Sequence, residues 1–366
     1  MRLFGLVVTA IAVTACGEGS AAKSPEPDVG RTDEAKASPI PDRPGERTFR
    51  DWYAVCDNAN ACYAFGRASE GVGWVRIAIA AGPDARPGVV VGFWPENGSF
   101  GGPLTARVDG TGLIAATDAV GDEDDYPAAT VRADQVIRLI DAMGQGEAMT
   151  LAAGTETVTI SLSGAAASLL WIDERQGRLG TSAALIRKGD RTASSVPAGP
   201  VVPEVTPAPA VSQGRYGDQE GQTLPAAVAA LPDVVQCRAD TDFNPDLQAA
   251  IVSAKLDANT VLWGVPCGAG AYNFANAWFT TRPDGSNPRR LTFPSTGEPL
   301  DLLVNAAYDP ATRVIDAFDK GRGLGDCGTA SSWTWTDRGF VLRSSTAMPD
   351  CYGVPSEYWP TFWVTR

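Results

Sequence analysis

The stretch Ser332-Trp333-Thr334-Trp335-Thr336-Asp337-Arg338-Gly339-Phe340-Val341-Leu342-Arg343-Ser344 sets the fold class. β-Branched and aromatic residues dominate both arms, and Asp337-Arg338-Gly339 is good turn chemistry between them. The segment reads as two antiparallel strands, with Trp333 and Trp335 on one face because side chains repeat every second residue. Similar runs surround it: Val261–Val265, Asn273–Thr280, Leu302–Ala307, Arg313–Phe318 and Thr361–Val364, with a turn at Asp309-Pro310-Ala311-Thr312. Short strands at this spacing predict an antiparallel β-meander, sandwich or barrel over residues 215–366.

A second β-rich unit is expected over residues 48–190. Trp74-Val75-Arg76-Ile77-Ala78-Ile79 alternates, and Val89-Val90-Val91-Gly92-Phe93-Trp94 reads as a more fully buried strand. Thr155–Ser163 alternates again. Ala133–Met143 has a helical pattern ending at Gly144, and Ala165–Asp173 is rich in helix formers, so one or two helices accompany the strands. Between the units, residues 191–214 carry Pro197, Pro200, Pro203, Pro207 and Pro209. That density favours an extended linker of about 3.1 Å per residue. The expected class is mainly β with minor α, in two β-rich domains.

The N-terminus reads as an address label. Arg2 precedes an uncharged apolar run, Leu3 to Val13, which is shorter than the ~20 residues needed to span a bilayer. Val13-Thr14-Ala15-Cys16 resembles a bacterial lipobox. The resemblance implies cleavage of residues 1–15 and lipidation of Cys16, each buried CH₂ contributing about 0.8 kcal/mol of anchoring. Gly17 rather than Asp follows, which favours an outer-membrane anchor, on the periplasmic face or the surface. Residues 16–47 hold Pro25, Pro27, Pro39, Pro41 and Pro44 and no aromatic residue, so a disordered tether is expected.

The chain has 366 residues, 44% of them hydrophobic, and a formal charge of -13. An acidic chain disfavours nucleic acid and anionic lipid as principal partners. It contains no histidine. That closes Ser-His-Asp and Cys-His catalysis and imidazole metal sites. Besides Cys16, six cysteines remain: Cys56, Cys62, Cys237, Cys267, Cys327 and Cys351. An even number in an exported chain predicts disulfides. We expect Cys56–Cys62 across the turn-prone Asp57–Ala61, then Cys237–Cys267 and Cys327–Cys351, with the last four open to exchange of partners.

Trp52…Cys56-Asp57-Asn58…Cys62, then Arg322-Gly323-Leu324-Gly325-Asp326-Cys327-Gly328, then Trp333-x-Trp335, resembles the bacterial domain of unknown function 1176 family over residues 48–366. Asp51-Trp52, Cys56, Cys62 and Ser161-Leu162-Ser163-Gly164 are similar, more weakly, to the invasion-associated locus B family of secreted β-proteins. Both resemblances imply an envelope or periplasmic setting and supply no catalytic residues.

The remaining motifs are weighed on their context. Gly323-x-Gly325-x-x-Gly328 matches the dinucleotide fingerprint in letters, but a strand-like segment follows where a helix is required. A glycine-rich disulfide loop is the better reading, with Arg322 and Asp326 as a local ion pair or a ligand contact. Asp118, Asp122, Glu123, Asp124 and Asp125 form an acidic loop without EF-hand spacing. Trp333 and Trp335 are core or, if exposed, a stacking platform for sugar or peptide. No cofactor is expected. These features point to a non-catalytic envelope lipoprotein that binds or scaffolds an envelope protein or glycan. The alternatives are a glycan hydrolase using two carboxylates, such as Glu298, Asp301 or Glu357, and a secreted enzyme inhibitor displaying the glycine-rich loop.

Overall fold

The computed structural model describes residues 44–96, 100–120, 128–216 and 223–366. The expected signal peptide, Cys16, the expected tether up to residue 43 and the acidic run Asp122–Asp125 lie outside the described residues. The chain begins with β1 (Gly45–Phe49), β2 (Trp52–Cys56), β3 (Cys62–Arg67), β4 (Gly73–Ile79) and β5 (Gly88–Phe93). Next come β6 (Gly102–Val108), β7 (Ala115–Val120), β8 (Ala128–Thr130), helix α1 (Val136–Met143), β9 (Ala148–Ala153), β10 (Glu156–Ser161) and helix α2 (Ala165–Arg175). One antiparallel sheet runs β1-β2-β3-β4-β5-β8, and a second runs β10-β9-β6-β7. The first strand begins at Gly45, slightly before the expected Thr48, with Gly45, Glu46 and Arg47 paired to Cys56, Val55 and Ala54.

The first sheet is covered on both faces. Trp52, Ala54, Cys56, Val75, Ile77, Val89 and Val91 point into a core shared with the second sheet, α1 and α2. Their alternates Tyr53, Val55, Phe65, Trp74 and Val90 enter a different cluster, whose other buried members are Cys327, Met348, Val354, Trp359 and Phe362. This explains why all five residues of β2 are buried, and why Val89-Val90-Val91 reads as an unbroken apolar run. A strand with one wet face would alternate instead.

The C-terminal half opens with three short helices, α3 (Ala226–Ala229), α4 (Pro232–Asp240) and α5 (Pro245–Ala249), before β11 (Val252–Lys255). The strand-based reading did not include these helices. Their signals are local: proline opens α4 and α5, and the Asn244 side chain caps α5 by accepting from the Leu247 N–H. β12 (Val261–Ala269), β13 (Phe274–Thr281), β14 (Arg289–Arg290) and β15 (Leu302–Val304) complete a third sheet. β16 (Ala307–Asp309), β17 (Val314–Lys320), β18 (Gly328–Thr336), β19 (Gly339–Met348) and β20 (Thr361–Trp363) form the fourth, a sequential antiparallel meander. Leu262, Trp278 and Leu303 of the third sheet pack against Ile315, Trp333, Leu342 and Trp363 of the fourth. Of the three expected architectures, this is a sandwich, with a meander as one of its sheets.

Between the halves, residues 197–213 have no helix or strand, as proline density requires. They are nonetheless held. Val205 N–H donates to Arg366 O (2.9 Å), Arg366 N–H to Pro203 O (3.0 Å) and Ala208 N–H to Trp335 O (2.9 Å). Three disulfides staple the molecule: Cys56–Cys62, Cys237–Cys267 and Cys327–Cys351. Cys56 and Cys62 sit directly opposite each other on β2 and β3. The turn between them is built by Asp57, whose carboxylate accepts from the N–H groups of Ala59 and Ala61.

Candidate functional site

A polar cleft of about 470 Å³ opens where three loop systems meet, lined by Asp51, Arg67, Ser69, Ser161, Arg322 and Tyr352 among others. Its first wall is the tight turn from β1 to β2. Arg50 there adopts a left-handed φ of 54°. The Trp52 indole donates to Ser161 O (2.8 Å), and the Ser161 hydroxyl donates to the Asp51 carboxylate (2.6 Å). Gly164 permits this approach: its φ is 109°, and a Cβ would lie 1.8 Å from Phe49 O. Ser161 Oγ also accepts from Ser163 N–H. The hydroxyl–carboxylate pair therefore closes a turn, and no imidazole exists to make a nucleophile of it.

The second wall is the end of β3, Arg67, with the connection to β4 that carries Ser69. The Arg67 guanidinium lies 5.8 Å above the centre of the Tyr352 ring, within cation–π range. Among the described residues it has no carboxylate in ion-pair contact.

The third wall comes from the other half. The glycine-rich loop is closed by Gly321 N–H donating to Cys327 O (2.8 Å) and Gly325 N–H to Arg322 O (2.9 Å). Gly328 opens β18 with a φ of 129°, where a Cβ would meet Asp319 O at 2.0 Å. A strand follows the loop, not a helix, so the nucleotide fingerprint lacks the context it needs. Arg322 grips Asp326 with both prongs of its fork, Nε to Oδ1 at 2.6 Å. The Asp326 side chain is 3% exposed and that of Arg322 40%. Asp326 also accepts from Gly353 N–H (2.7 Å). Burial alone would raise its pKa, but the guanidinium and the Gly353 N–H outweigh that and hold it below the ordinary value.

Gly353 is the knot between the halves. Its carbonyl accepts from the indoles of Trp74 (2.9 Å) and Trp94 (3.2 Å), and Cys351 is bonded to Cys327. Loop 351–353 is thus fixed by a covalent bond, a carboxylate and two indoles. Tyr352 between these anchors has its pKa raised, first by burial and then by Asp350, so its phenol stays protonated at neutral pH.

The other sequence candidates fall elsewhere. Trp333 is 1% exposed, packs in the inter-sheet core and donates from its indole to Pro294 O, so it takes the core alternative. Trp335 is half-buried against Phe340, ring centres 5.1 Å apart. Glu298, Asp301 and Glu357 are exposed, and none lines the cleft. A carboxylate pair for glycan hydrolysis needs two acids across one cleft, so these three residues do not supply it. Asp118 is exposed and paired with Arg132 at 3.2 Å. Arg67 and Tyr352 were not legible as site residues, because nothing local in sequence marks either one.

The chain matches the family described as protein of unknown function (DUF1176) over residues 46–366, and it belongs to that family. It is 31% identical over 344 residues to the uncharacterized protein YpfG of Escherichia coli strain K12, covering 88% of this chain and 94% of that one. No solved structure matches. Arg322–Cys327, which carried the resemblance to this family, borders the cleft or braces it, as do Asp51-Trp52 and Ser161–Gly164, which carried the weaker likeness to the invasion-associated locus B family.

Proposed function

We propose that the protein is a lipid-anchored component of the bacterial envelope that binds or scaffolds another envelope component and catalyses no reaction. The supporting observation is the cleft itself: its walls come from both halves, are locked by the Cys327–Cys351 disulfide and the Asp326–Gly353 bond, and present polar and charged binding groups. The lipobox and three disulfides fit an exported, oxidising setting. The anchor is tested by labelling cells with radioactive palmitate and fractionating membranes. The full chain incorporates label and sediments with outer membrane, whereas Cys16→Ser does neither. Equal sedimentation of both removes the anchor. The binding role is tested by crosslinking in intact cells: an adduct of defined mass lost on disulfide reduction supports it, and a chain recovered only as monomer counts against it.

A second reading, an inhibitor of a host or competitor enzyme, has one observation in its favour. Leu324 is 57% exposed on the disulfide-braced glycine-rich loop, beside exposed Tyr272. Leu324→Asp should then abolish inhibition of a target hydrolase, and a panel of hydrolases left uninhibited by the full chain ends that reading.

A further inference from the structure

We propose that the cleft is a binding site for a carboxylate group, held chiefly by Arg67 and seconded by Arg322. This deepens the binding-module reading and rests on it. Arg67 lines the cleft, carries a full charge and contacts no carboxylate among the described residues. Its guanidinium is steadied over the Tyr352 ring, so the fork loses less freedom when it grips a ligand. Arg322 already spends Nε and Nη2 on Asp326. Its Nη1 donors are not used in that pair, and the side chain remains accessible at the cleft wall.

Asp326 cancels one of the two positive charges and Asp51 offers a negative one in the same lining. Two guanidiniums and two carboxylates leave the site without net charge, so recognition rests on the open fork of Arg67 rather than on a positive field. A phosphate monoester near -2 meets more repulsion from Asp51 than a singly charged carboxylate does. Planar bidentate recognition by arginine also matches the two carboxylate oxygens. Hydroxyls of Ser69 and Ser161 border the same space, and the volume suits a small ligand or the end of a chain rather than a helix. The chemistry that fits is the terminal carboxylate of a peptide or a similar acid.

The test is calorimetric titration of the full chain, disulfides intact, with N-acetylalanine, N-acetylalanine amide and inorganic phosphate, alongside NMR of arginine Nε–H groups. The expected result is saturable binding of the acid, at least tenfold weaker binding of amide and phosphate, and a shift of the Arg67 resonance. Arg67→Gln should weaken the acid at least tenfold, Arg67→Lys should be intermediate, and Arg338→Gln, in the exposed β18–β19 turn and outside the cleft walls, should change nothing. Arg322→Gln is a poor probe because it strips the partner from buried Asp326. Equal binding of acid and amide, preference for phosphate, or an unchanged Arg67→Gln affinity would each overturn the carboxylate site. A crosslinked adduct that survives Arg67→Gln would leave the scaffold reading standing while the carboxylate site falls.

Discussion

Asp326→Ala tests whether the two halves are held by the clamp at Gly353. The wild-type carboxylate takes a charged fork from Arg322 and the Gly353 N–H, and its side chain is 3% exposed. Removing it strands a buried N–H, which costs about 1–3 kcal/mol. The ion pair adds less, about 1 kcal/mol, because Arg322 is 40% exposed and solvent screens it. The expected loss is therefore about 2–4 kcal/mol at neutral pH. Asp326→Asn keeps an acceptor for Gly353 and should lose only about 1–2 kcal/mol. The assay is urea unfolding followed by tryptophan fluorescence, since Trp74 and Trp94 both bond to Gly353 and report on the clamp. Acidity supplies an independent check. The folded pKa of Asp326 lies below 3.8, so its contribution is complete above 3.8 and is lost as pH falls through the lower folded value. The gap between wild type and Asp326→Asn should therefore close only at strongly acidic pH. A loss under about 0.5 kcal/mol for Asp326→Ala, or a gap that closes near neutral pH, would refute the clamp.

Trp74→Phe keeps the ring but removes one donor to Gly353 O, and should cost about 1–2 kcal/mol in the same unfolding assay. Breaking Cys327–Cys351, whose residues are 24 apart, should destabilise by about 3.5 kcal/mol from loop entropy, against about 2.4 kcal/mol for Cys56–Cys62, 6 apart; paired serine variants and thermal unfolding give the comparison. Gly164→Ala places a Cβ on Phe49 O at positive φ and should cost about 3 kcal/mol or reduce soluble yield outright. Arg313→Met should leave stability unchanged or raise it by about 1 kcal/mol, because buried Arg313 has Nε and Nη1 donors with no partner.

Local pattern made much of the fold legible. The meander strands around Trp333 were readable because alternation and turn chemistry act over a few residues. The disulfide across Asp57–Ala61 was readable for the same reason, since a six-residue separation leaves a hairpin little choice. The helices α3 to α5 were readable in principle from Pro232, Asn244 and Pro245, but they are short and bury little: Val228 in α3, Val234 and Cys237 in α4, and no residue of α5. The cleft was not readable. Arg322 and Asp326 declared themselves by an i,i+4 spacing, but Arg67 acquires its neighbour Tyr352 only when strands from opposite ends of the chain converge.

By itself, the sequence determined the β class, the absence of imidazole chemistry, the number of cysteines available and the apolar runs that must be buried. Each follows from composition or from contacts a few residues long. The tertiary structure decided that the first sheet is buried on both faces, that Trp333 is core, and that Gly353 receives two indoles and gives its N–H to Asp326. Those facts depend on which distant surfaces exclude water together. Burial is a property of the packed pair of faces, and neither face carries it in its own residues alone.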